Sequence, residues 1–91
     1  MTRPRRCRRI RGRANFNLFK PAGIRAQELE HIILTKEEFE AIRLKDYENF
    51  DQIKCSEMME ISQPTFHRLI NEARKKLSKA IIEGKAINIE N

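Results

Sequence analysis

The chain has 91 residues, of which 40% are apolar, and a formal net charge of +6. A chain of this length buries about 60–65% of its unfolded surface on folding, which gives one modest core and leaves no room for a deep catalytic cleft. No apolar run approaches the roughly 18 residues that cross a bilayer, so the composition excludes a membrane span.

The N-terminus carries the whole positive excess. Seven arginines and no acid lie within the first 13 residues, and the rest of the chain sums to −1. Such an arm, here residues 1–14, gains order by neutralising phosphates. Because Ile10 is the only large apolar residue among these arginines, nucleic acid is a better partner than a membrane surface. The arm residues expected to bind phosphate are Arg3, Arg5, Arg6, Arg8 and Arg9.

Two short segments, residues 15–19 and 86–90, alternate apolar and polar residues with the period of a strand. The first is followed by a Lys-Pro-Ala-Gly turn. Each segment alone is too short to be stable. They therefore either pair as a small two-stranded ribbon at the edge of the domain or remain two frayed termini.

The helical part begins at Thr35, which forms a capping box with Glu38. Asp51 and Ser62 are the expected N-caps of two further helices, and Asn49 tolerates the left-handed conformation that ends the first. The expected helices cover about residues 35–47, 51–59 and 62–83.

The first helix is expected to bury Phe39, Ile42 and Tyr47, with Ala41 and Leu44 extending that side. The third has spacings of three and four between its apolar residues, which indicate an amphipathic helix. These residues are Phe66, Leu69, Ile70, Ala73, Leu77, Ala80 and Ile81.

The second and third helices fit the pattern of a helix-turn-helix. Ser56 is small where the two helices cross, and the chain turns sharply at Glu60. The apolar residues that fix the crossing angle are Met59, Ile61, Phe66 and Leu69, and Cys55 adds a compact contact.

Longer motifs carry a family resemblance. The run LTKEEFEAIRL at residues 34–44, with ARKKL at residues 73–77, resembles the DNA-binding C-terminal region of bacterial sigma factors. The segments RPRRCRR at residues 3–9, FKPAG at residues 19–23 and EGKA at residues 83–86 are similar to a family of small prokaryotic proteins of unknown function predicted to bind DNA, domain-of-unknown-function family 134. The resemblance covers nearly the whole chain and implies a sigma-like helix-turn-helix and gene regulation.

The outward side of the third helix is expected to read bases in the major groove. Pro64 stands where the sigma-like pattern has a polar residue, so reading shifts to its neighbours. Amides pair with adenine, arginine with guanine, and threonine contacts a thymine methyl group or a phosphate. The expected base-reading residues are Gln63, Thr65, His67, Arg68 and Asn71. The residues expected to hold phosphates are Arg74, Lys75, Lys76 and Lys79.

The charge distribution favours this orientation, because residues 62–79 sum to +4 and residues 35–60 to −4. The acidic surface is expected to face away from DNA. Cys7 and Cys55 lie far apart in unlike contexts, which suits a reducing cytoplasm better than a disulfide framework. Cys55 is expected in the core, whereas Cys7 among arginines is either inert, redox-reactive or metal-binding.

We therefore expect an all-α helix-turn-helix domain over residues 15–91, acting in the cytoplasm as a sequence-specific transcriptional regulator. Its partner is double-stranded DNA, which it binds as a homodimer because one small module buries little DNA surface. We expect no enzymatic activity, cofactor or metal. Two alternatives stay open: a basic RNA-binding or ribosome-associated protein, and a sigma-like adaptor that contacts the transcription machinery.

Overall fold

A computed structural model describes residues 17–90, which form three helices and a three-stranded sheet. The strands are β1 (Leu18–Phe19), β2 (His31–Leu34) and β3 (Ala86–Ile89), in the order β1-β3-β2. The helices are α1 (Lys36–Ile42), α2 (Gln52–Met59) and α3 (Gln63–Glu83). A 3-10 turn precedes β2 at Ala26–Glu28, and a π-helical turn continues α1 at Arg43–Tyr47. None of the helices within these residues is both long and apolar enough to cross a membrane.

The expectation of an all-α fold is wrong, because β3 pairs antiparallel with β1 and parallel with β2. Of the two alternatives for the terminal segments, pairing is what the structure shows, with Leu18 opposite Asn88 and Phe19 opposite Ile87. β2 is the unexpected strand. Its sequence, HIIL, is a short apolar run without alternation, which periodicity alone cannot assign to a strand. Its parallel partner lies beyond all three helices, which supply the long crossover that a parallel pair needs.

The start of each helix agrees with its predicted cap. Thr35 Oγ1 accepts from the backbone N–H of Glu38 at 3.2 Å, and the Glu38 carboxylate accepts from the N–H of Thr35 at 2.9 Å. The Asp51 and Ser62 side chains cap α2 and α3 in the same way. Asn49 has φ 65°, the left-handed conformation expected of the residue that ends the first helical segment.

The core lies between the three helices. Its largest fully buried apolar side chains are Phe66, Leu44 and Met59, and Cys55 is equally buried. This confirms Cys55 as a core residue. Because burial disfavours the thiolate, the pKa of Cys55 is raised and its reactivity is low.

The buried side of α1 differs from the expected one. Ala41 and Leu44 are buried, whereas Phe39 and Ile42 are half-buried and Tyr47 is 78% exposed. The exposure of Tyr47 follows from the π-helical turn, which is wider than an α-helical turn and shifts this residue out of the 3.6-residue period. Ile81 of α3 is also exposed, because its neighbour Ala80 occupies the buried position and lies about 100° away around the helix.

Three acids of α1 lie beneath the surface, contrary to the expectation of an acidic outer face. Glu37, Glu38 and Glu40 are only 4%, 6% and 0% exposed. Glu40 accepts from Arg43 Nε at 2.9 Å and from Nη2 at 3.0 Å, a two-point contact that raises the pKa of Arg43. A carboxylate buried to this degree is tolerated because its charge is paired and hydrogen-bonded.

Candidate nucleic-acid interface

A tight turn joins α2 to α3. Glu60 ends α2 in the left-handed conformation at φ 59° and ψ 44°, and Ser62 caps α3 two residues later. The strain of a non-glycine residue there, about 1 kcal/mol, is offset by the packing on both sides of the turn. Met59 and Phe66 are fully buried on the two sides, and Ile61 and Leu69 pack against the same core. All four apolar positions expected to fix the two helices are therefore in contact with the core.

The small side chain of Ser56, which is expected where α2 crosses α3, is buried. Ser56 is 3% exposed, and its hydroxyl donates to the backbone oxygen of Ile53 at 2.9 Å. The serine thus satisfies its polar atom within α2 and leaves space for the neighbouring helix. At the other end of the pair, Gln52 Nε2 donates to the backbone oxygen of Gln63 at 3.4 Å, which joins the starts of the two helices.

Gln63, His67 and Asn71 form an exposed polar row along the first half of α3. Residues four apart on an α-helix are displaced by only about 40° around its axis, so these three side chains follow one another. Two of them are joined, since Asn71 Nδ2 lies 3.0 Å from His67 Nε2. The row presents amide and imidazole groups of the kind that read base edges.

A basic row lies beside the polar row. Arg68, Lys75 and Lys79 are exposed, and helical geometry places them within about 40° of one another on the side opposite Phe66. We call these three residues the basic row. The ammonium groups of Lys75 and Lys79 are of the kind that contacts phosphates, and the guanidinium of Arg68 is of the kind that pairs with guanine.

Thr65 stands apart from the other residues predicted to read bases. It is half-buried, and its hydroxyl accepts from Ser62 Oγ at 2.8 Å as part of the cap of α3. Helical geometry puts it about 160° from Gln63. The structure therefore places Gln63, His67 and Asn71 in one exposed row with Arg68 beside it, whereas Thr65 takes part in the cap of α3.

Arg74 forms an ion pair with Asp46. Its Nη2 lies 2.6 Å from Asp46 Oδ1 and its Nε 3.1 Å from Asp46 Oδ2, which joins α3 to the π-helical turn. The hydrogen bond from Arg74 holds the pKa of Asp46 below its ordinary value. The pair accordingly persists at acidic pH values at which an ordinary aspartate begins to protonate. A phosphate must compete with Asp46 for this guanidinium.

Lys76 also forms an ion pair within the protein, and its partner is a buried carboxylate. Its Nζ is 2.7 Å from Glu38 Oε1 and 2.7 Å from the backbone oxygen of Ile33 in β2. The lysine thus neutralises a buried carboxylate and caps an edge strand, and it is a structural cation. The sequence alone does not show that Lys76 is paired and Lys75 is exposed, because the partners of Lys76 lie in β2 and α1, far away along the chain.

The predicted arm arginines, Arg3, Arg5, Arg6, Arg8 and Arg9, lie outside the described residues, and so does Cys7. Within residues 17–90 there is no group of three or more side chains that could hold a metal ion. A groove of about 360 Å³ beside the end of α3 is apolar apart from Lys20 and Lys85. It offers no acid–base pair or nucleophile, so the exposed side of α3 is the candidate site.

Comparisons with known proteins find a family over the full length of the chain. The model of the family described as protein of unknown function DUF134 matches residues 1–91. A UPF0251 protein of Thermoanaerobacter pseudethanolicus is 51% identical over 90 residues, which is 99% of this chain and 76% of the relative. A UPF0251 protein of Moorella thermoacetica is 47% identical over 90 residues, 99% of this chain and 60% of the relative. No solved structure matches the chain.

Proposed function

The chain belongs to the DUF134 family, as its linear motifs indicate, and from the geometry of its helices we propose that it binds duplex DNA and regulates transcription. In this proposal α2 and α3 act as a helix-turn-helix. α3 lies in the major groove with its first half against the base edges.

One observation carries the proposal: α3 is fixed on one side by the core and exposes a polar row beside a basic row on the other. The fixed side includes Phe66, which is fully buried. The exposed side pairs groups that read bases with groups that bind phosphates, which is the division of labour in specific DNA recognition. A merely solvated helix would need no such separation of amides from cations.

The length of the polar row sets the size of the site. From Gln63 to Asn71 the helix rises about 12 Å, which corresponds to three or four base pairs. So short a site gives little specificity in one copy. We therefore include a homodimer in the proposal, with two α3 helices reading half-sites whose centres lie about 10 base pairs apart.

The proposal is tested by selecting bound sites from a pool of random duplex DNA with the full chain. We expect an enriched motif made of two short half-sites, and we expect duplex RNA to compete poorly, since its deep major groove does not admit a helix. Failure to enrich any motif, or equal competition by RNA, would overturn the proposal.

Arg68→Ala is expected to relax the preference at one base pair of the selected motif by about 1–3 kcal/mol, because arginine pairs with guanine through two hydrogen bonds. Competition titrations with duplexes changed at single positions measure this effect. Arg25→Ala is the matched control, since Arg25 lies before β2 and pairs with Glu28 at an exposed site. An equal effect of both variants would show that Arg68 does not read a base.

Asp46→Asn is expected to strengthen binding to all DNA sequences alike, by roughly fivefold at 0.15 M salt, with a salt dependence steeper by about one ion. The reason is that Arg74 loses its internal partner and becomes available to a phosphate. Because both side chains of the pair are more than a third exposed, the stability cost stays below about 1 kcal/mol. Glu28→Gln frees Arg25 in the same way on another surface and should leave binding unchanged. A fall in affinity with Asp46→Asn would contradict this prediction.

A further inference from the structure

His67 and Asn71 are in hydrogen-bond contact on the exposed side of α3. Asn71 Nδ2 faces His67 Nε2 at 3.0 Å. An amide nitrogen only donates, so with Nδ2 on this side the ring nitrogen acts as the acceptor. Both residues are exposed on α3, where nothing in the packing of the core requires the contact.

This contact leaves one edge of the Asn71 amide free. With the N–H trans to Oδ1 donated to His67, the other N–H and Oδ1 form an edge with one donor beside one acceptor. Adenine offers the complementary pair in the major groove, the N7 acceptor and the N6 donor. An A·T pair and a T·A pair show these groups in opposite order across the major groove. The direction of the amide therefore determines which of the two base pairs it fits.

We propose that His67 is a positioning residue that fixes the direction of the Asn71 amide and so selects the strand on which adenine is read. This inference rests on the proposed DNA-binding function. It assigns to His67 a role through Asn71 in place of the direct base contact that the sequence suggests.

The test begins with selection from the same random duplex pool, and the A·T pair of the selected motif whose preference depends on Asn71 is identified. The wild-type chain and variants at position 67 are then titrated with the selected duplex and with a duplex in which this A·T pair is reversed. The wild-type chain prefers one orientation by about tenfold, the scale of a bidentate contact to one base. His67→Ala should reduce the ratio to within about twofold, because either direction of the amide then costs little. Asn71→Ala should remove the preference for an A·T pair altogether.

Two further variants distinguish positioning from a merely structural role. His67→Glu provides only an acceptor and should keep the wild-type orientation, although its negative charge weakens binding to both duplexes alike. His67→Lys provides only a donor, turns the amide so that Oδ1 faces it, and should invert the preference. His31→Ala, at the other exposed histidine, is the control and should leave the ratio unchanged.

The possible results separate the inference from the function on which it rests. If the wild-type chain enriches no motif, the proposed function fails. If a motif is enriched and its A·T orientation is unchanged in His67→Ala and His67→Lys, the inference fails and the function stands.

Discussion

Arg43→Ala is expected to lower the free energy of unfolding by about 3–5 kcal/mol, the largest effect on stability among the charged residues discussed. The variant removes a guanidinium that makes two hydrogen bonds to Glu40 at 2.9 and 3.0 Å. The side chain of Glu40 is 0% exposed in the native protein, so the variant leaves a buried carboxylate without this guanidinium. Urea unfolding of the full chain measures the change, with an unaltered slope showing that the folded state is the same.

Two comparisons show whether the charge is responsible. Arg25→Ala breaks the pair with Glu28, whose side chain is 52% exposed, and should cost less than about 1 kcal/mol. The double variant Glu40→Gln with Arg43→Ala should recover part of the loss, because a buried amide costs less than a buried carboxylate. A cost for Arg43→Ala no larger than that of Arg25→Ala would contradict the account of the buried pair.

Lys75→Gln combined with Lys79→Gln is expected to produce the largest loss of DNA affinity, roughly thirtyfold at 0.15 M salt. Each phosphate contact contributes about 0.9 to the slope of log affinity against log salt, so the slope should fall by about two. Both lysines belong to the basic row, whereas their neighbours Arg74 and Lys76 are already bound to Asp46 and Glu38. Anisotropy titrations at several salt concentrations give the slope directly.

The matched control removes the same charge from α1 and from the π-helical turn that continues it. Lys36→Gln with Lys45→Gln should leave the slope within about half a unit of the wild type. If the two pairs have equal effects, net charge determines binding and the basic row has no special place. A loss of affinity without a change in the salt slope would indicate that the substitutions disturb the folded structure and do not remove phosphate contacts.

Local signals in the sequence were sufficient for the helices. Side-chain caps and turn residues act within four positions along the chain, so Thr35, Asp51, Ser62 and Glu60 could be assigned directly. The buried positions of α3 followed from its regular period, with Ile81 as the exception. The buried side of the first helical segment was harder to predict, because its period breaks at the π-helical turn.

Long-range pairing could not be predicted in the same way. β2 pairs with β3, which follows all three helices, and the four residues of β2 do not identify β3 as their partner. The same holds for the ion pairs of Asp46 with Arg74 and of Glu38 with Lys76, whose members lie 28 and 38 residues apart. Composition gives a charge of +4 over residues 62–79, and the structure shows that two of these cations, Arg74 and Lys76, are paired within the protein.

The central claim is that the exposed side of α3 contacts duplex DNA, and amide and side-chain NMR shifts of the full chain during titration with a duplex test it most directly. The account predicts the largest changes at Gln63, His67, Arg68, Asn71 and Lys75, with small changes in β2 and α1. Changes concentrated in the sheet or α1, with α3 unaffected at saturating duplex, would contradict it.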